Sequence, residues 1–179
     1  MGVWKMLGFD PEKWASGKPA AKSSSAQTET VRKIVRALDS MDQEQARHLA
    51  AFAYLLSRVA FADQKISPEE TQAMERLVMA RGDLPEEQAI LIVQMAKTQS
   101  LLFSGTENFL VAREFGKIAG REQKLALLDC LYAVCAADKS ISTVEDNEIR
   151  KIASELQLSH QDFIAVRINY RDQLAVFQI

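Results

Sequence analysis

A six-residue pattern occurs twice in this chain, as Ala62-Asp63-Gln64-Lys65-Ile66-Ser67 and as Ala137-Asp138-Lys139-Ser140-Ile141-Ser142, about 75 residues apart. The register extends beyond the pattern. The same offset sets Leu56 on Leu131, Val59 on Val134, Glu70 on Glu145, Met74 on Ile149 and Leu77 on Ile152. One extra residue in the first copy then puts Leu84 opposite Leu158, ahead of a final helix in each. A chain that repeats loop, cap and apolar positions together is two copies of one unit, and the two must bury their apolar faces on each other.

Apolar residues recur at helical spacing through both copies: Val31, Ile34, Val35 and Leu38, then Leu49, Phe52, Ala53 and Leu56, and onward to Ile168. No stretch alternates with period two for long enough to read as a strand. Helices are expected at 28–39, 43–61, 67–81, 85–99, 106–118, 121–136, 142–155 and 159–171. The fold class is therefore all-α, about eight helices in two pseudo-symmetric four-helix repeats, 28–99 and 103–172, packed as one bundle within a domain of residues 28–179.

Residues 16–27 are small, polar and without period, as a flexible linker reads. Ahead of them a head segment, 1–15, carries Trp4, Leu7, Phe9 and Trp14. It is too short for its own core. Two readings stand: it folds back on the body, or it is a docking peptide for a partner or a membrane surface, where aromatic anchors dominate the contact.

The repeated turn carries its own chemistry. Ser67-Pro68-Glu69-Glu70 and Ser142-Thr143-Val144-Glu145 both fit the capping box, in which Ser accepts from the third helical amide and Glu accepts from the Ser amide. Ile66 and Ile141 stand where a hydrophobic staple would sit. Asp63 and Asp138 lie at a helix carboxyl end, against the negative pole of the macrodipole, so something must offset them. Backbone amides two residues on can do so. A divalent cation can also, with Asp63 and Glu70, or Asp138 and Glu145, as hard oxygen ligands for calcium or magnesium. A four-residue loop is not an EF-hand, whose loop has about 12 residues.

The formal charge is −2, from 22 basic and 24 acidic residues spread along the chain, which argues against a nucleic-acid partner. Cys130 and Cys135 point in different directions on a helix and read as small apolar core residues of a reducing compartment, hence cytoplasmic. No apolar run reaches the roughly 18 residues of a transmembrane segment. His48 and His160 sit in no nucleophile, zinc or phosphate motif, so the chain reads as non-catalytic.

On the Ala-Asp-x-x-Ile-Ser turns, each followed by its capping glutamate, the sequence resembles the tellurite-resistance TerB and TerB-like family over roughly residues 28–171. The resemblance implies a helical, often membrane-associated module of bacterial stress and defence systems, with cation binding suspected at the acidic turns. By it Asp63, Ile66, Ser67 and Glu70 match the first turn, and Asp138, Ile141, Ser142 and Glu145 the second. The family has Gly after the aspartate where this chain has Gln64 and Lys139, so a left-handed residue is harder to accommodate there. Lys139 also opposes a cation, leaving the first turn the better candidate. The expected function is an interaction module that docks onto a protein partner, a membrane protein or a larger complex, at the inner face of the membrane if peripheral. The alternative is a cation sensor or buffer.

Overall fold

The computed structural model describes residues 39, 41–103 and 108–178. The aromatic head, the linker and all of the expected helix 28–39 except Asp39 lie outside them. Among the described residues there are seven α-helices: α1 (Gln43–Ala60), α2 (Pro68–Gly82), α3 (Glu86–Phe103), α4 (Asn108–Ile118), α5 (Arg121–Cys135), α6 (Thr143–Glu155) and α7 (His160–Arg167). Short 3-10 turns follow α5 and α7. The bundle is all-helical, as expected.

α1 is the central helix. From Leu49 to Ala60 every residue is buried, because Leu49-Ala50-Ala51-Phe52-Ala53-Tyr54-Leu55-Leu56 is apolar on all faces, the mark of a helix enclosed by others. It packs against each of α2 to α6. Its counterpart α5 buries Leu127, Leu128, Leu131, Tyr132, Val134 and Cys135. Asp42 caps α1, its carboxylate accepting from the amides of Glu44 and Gln45 at 3.1 and 3.3 Å.

The two copies match down to backbone conformation. Gln64 and Lys139 are both left-handed, with φ of 66° and 73°. Asp63 accepts from the Lys65 amide at 2.9 Å and Asp138 from the Ser140 amide at 3.0 Å, so each aspartate is held by the backbone two residues on. Further along, Asp83 and Gln157 are left-handed too, and Leu84 and Leu158 donate back to the carbonyls of Met79 and Ala153, closing α2 and α6 in the same way. The shift from one offset to the other falls inside these helices: the capping serines Ser67 and Ser142 are still at the first offset, whereas left-handed Asp83 and Gln157 are one residue closer.

The left-handed turn forms without glycine because the aspartate bond holds one side and the isoleucine, packed on the core, holds the other. The strain persists, and Gln64→Gly is expected to raise stability by about 0.5–1 kcal/mol in a denaturant melt. A loss of stability would show that the Gln64 side chain contributes something the turn geometry does not reveal.

The final expected helix, 159–171, departs from its pattern. α7 stops at Arg167, and a 3-10 turn from Ile168 to Gln173 contains non-helical Tyr170 (φ −111°, ψ 15°). Tertiary contacts dictate the break. The Tyr170 ring stacks on Tyr132 at 5.2 Å, its hydroxyl donates to Asp129 at 3.0 Å, and the chain beyond turns back so that Leu174 pairs with Ile141 in an isolated parallel bridge.

Candidate functional site

Glu70 and Glu145 stand at the third position of α2 and α6, and both capping boxes form. Glu70 accepts from the Ser67 amide at 2.7 Å while Ser67 Oγ accepts from the Glu70 amide at 3.1 Å. Glu145 and Ser142 repeat this at 2.7 and 3.2 Å. A capping glutamate usually faces water. Here each heads the buried stripe of its helix, Glu70-Met74-Val78 and Glu145-Ile149-Ile152, and the residues are only 3% and 4% exposed.

α2 packs on α5 and on the turn that follows it, so equivalent positions of the two copies meet. Glu70, Glu145 and Cys135 form one buried cluster, with one ligand atom of each lying within 4.8 Å of the others. The Cys135 thiol is within hydrogen-bonding reach of Glu145. Each glutamate uses one oxygen for its serine amide, but Glu70 Oε1 is buried with no hydrogen-bond partner. Such an atom costs about 1–3 kcal/mol unless a proton or a cation joins it.

The electrostatics follow from this burial. Loss of solvation, then the nearby Glu145, push the Glu70 carboxyl up to about 7 against two opposing bonds from Ser67. Glu145 is raised by burial too, with its bonds to Ser142 and Cys135 opposing and the Asp63 charge adding. Burial and the two glutamates hold the Cys135 thiol well above its ordinary range. Burial and mutual repulsion thus favour a proton on the pair over two buried charges.

The four residues singled out by sequence divide differently from the expected pairs. Asp63 and Asp138 are exposed and spend an oxygen on their own turns. Glu70 and Glu145 are drawn together across the copies, with Cys135 as the third member of their cluster. Cys135 was expected as a small core residue; it is buried and free, but it also belongs to the cluster. The signal for this was a carboxylate in register with an apolar stripe in both copies. Trp4, Leu7, Phe9 and Trp14 lie outside the described residues.

A second polar group was not foreseen. Arg58, on α1 and 3% exposed, donates to Glu155 at 2.6 and 3.1 Å, to Glu148 at 2.7 Å and to the Asn108 carbonyl at 3.1 Å. It ties the first copy to α4 and α6. The histidines do other work: the His48 ring packs on Phe115 at 4.7 Å, and His160 is exposed at the start of α7. No helix among the described residues is long and apolar enough to cross a membrane.

No curated protein and no solved structure matches the chain. The family model described as tellurite resistance protein TerB matches residues 48–168, which takes in both turns, both capping boxes and the buried glutamate pair. With most of its length matched in this way, the chain belongs to the TerB family.

Proposed function

We propose that this chain is a non-catalytic, cation-responsive interaction module, in which one divalent cation held between the copies stiffens a helical bundle that docks onto a protein partner. The observation that carries the cation is Glu70 Oε1, a buried oxygen with no donor, facing a second buried carboxylate and a thiol. Two carboxylates and one sulfur suit a zinc-like ion better than calcium or magnesium, which take six or more oxygen ligands or keep several waters. Glu70, Glu145 and Cys135 would hold it, and its charge would neutralise the pair. Its binding would displace the proton they share, so affinity would rise with pH.

The docking half of the reading is favoured by an exposed apolar strip on α7 and the segment after it. Ile164, Ile168, Val176 and Phe177 are 40–64% exposed. Arg167 and Arg171 lie over the Phe177 ring at 5.7 and 5.4 Å. In this proposal the partner belongs to a stress-resistance or defence assembly, a reading that the family's tellurite-resistance description supports, and the protein is cytoplasmic or peripheral at the inner face of the membrane.

The test is a thermal melt of the metal-stripped full chain at neutral pH with zinc, calcium or magnesium added separately. At about a hundredfold excess over its dissociation constant, a bound ion contributes roughly 2.7 kcal/mol, a rise of about 5–10 °C for a chain of this size. Zinc is expected to give the largest rise. A melting temperature unmoved by all three ions sinks the cation reading.

A further inference from the structure

The isoleucine ahead of each cap is treated differently in the two copies. The Ile141 amide donates to the Gln173 carbonyl at 2.8 Å, and its own carbonyl accepts from the Ala175 amide at 2.9 Å. Leu174, between these two, inserts its side chain beside Ile141. Leu174 is 1% exposed and Ile141 is fully buried. The tail thus adds one short extended segment to the turn, with two main-chain bonds and one branched side chain.

Ile66 occupies the same place in the first copy, between left-handed Gln64 and capping Ser67, in a turn of the same geometry. Among the described residues its amide and carbonyl make no hydrogen bond, and its side chain is only partly buried. The cause lies in the helix that follows. α7 ends at Arg167 and frees the tail to return, whereas α3 runs on to Phe103. At the spacing that sets Leu84 opposite Leu158, Leu174 corresponds to Ser100, which is buried within α3. The first copy has used as helix the segment that would have covered its own turn.

We propose that the Ile66 edge is a docking site for a short extended segment of a protein partner, bearing a leucine-like residue and received as Leu174 is received by Ile141. This is strand addition to an exposed main-chain edge, where backbone bonds give affinity and the side-chain pocket gives selectivity. Exposed Asp63 and Glu69 flank the edge against a single exposed Lys65, so the segment that fits best has basic flanks. The proposal rests on the docking half of the function proposed above and is independent of the cation.

The experiment is an amide NMR titration of the full chain with a synthetic peptide spanning Arg171–Gln178 and carrying Asp172→Lys to supply a basic flank. Shifts centred on the amides of Lys65, Ile66 and Ser67 are expected. The same peptide with Leu174→Asp should bind at least tenfold more weakly, and so should one N-methylated at Ala175, which removes the donor to the Ile66 carbonyl. Shifts centred on Ile141 would show that the peptide merely replaces the tail, and would overturn the proposal. Shifts centred on Ile164 and Phe177 would also overturn it, while leaving a docking module that works through another face. An Ile66 response seen only after residues 1–15 are removed would make the chain's own head the occupant and overturn the assignment to a partner. No shift at any site would overturn it as well.

Discussion

Glu70→Gln is expected to raise the melting temperature at pH 8, by roughly 2–12 °C for about 1–3 kcal/mol, and to abolish the response to metal. In the parent chain the folded state holds the Glu70 carboxyl near 7, against an ordinary value of 4.5. Folding therefore favours the protonated form. The stability this contributes is complete below the ordinary carboxylate range and is lost as pH rises through about 7, when the unfolded chain ionises freely and the folded one must bury a second charge. Glutamine removes that penalty without disturbing the turn. Its carbonyl still accepts from the Ser67 amide, and its NH2 group donates to Glu145 where Glu70 had no donor. The gain should vanish below pH 4.5, where both chains are neutral at this position. A melting temperature that falls at pH 8 would falsify the account of an unsatisfied carboxylate pair.

Arg58→Met is expected to lower stability by about 3 kcal/mol, or roughly 6–12 °C in melting temperature. The guanidinium is enclosed, with its side chain 2% exposed, whereas Glu155 and Glu148 keep 11% and 21% of theirs. Removing the cation leaves two carboxylates facing each other with partial access to water, which sets the loss at the low end of the range for broken buried pairs. Arg58 is itself held in its charged form by both glutamates despite its burial. Adding Glu155→Gln to Arg58→Met should recover part of the loss, since one of the two stranded charges is gone. A loss under about 1 kcal/mol would mean that the network behaves as a surface ion pair.

The features set by neighbouring residues were legible in the sequence. Capping boxes, the aspartate turns and the apolar stripes depend on contacts within a few positions, and all form at the expected residues. The left-handed residues ran against local preference at Gln64 and Lys139, because the aspartate bond on one side and isoleucine packing on the other outweigh about 1 kcal/mol of backbone strain. The site itself is long-range. Nothing near Glu70 shows that it meets Glu145, and Cys135 replaces Ala60 of the first copy without breaking the apolar pattern. Arg58 sits in the apolar half of α1 and finds partners some 50 to 97 residues away. The end of α7 escaped for the same reason: Tyr170 and Leu174 continue the helical spacing, but their partners on α5 and at Ile141 lie outside it.

In the function proposed, the two copies would build one shared cation site, instead of one site on each acidic turn. Equilibrium dialysis of the full chain against zinc, followed by elemental analysis, measures this directly. One metal ion per chain is expected, lost in Glu70→Gln and equally in Glu145→Gln, and retained in Asp63→Asn and Asp138→Asn. Two ions per chain, or a single ion that survives either glutamate replacement, would rule out a site shared between the copies.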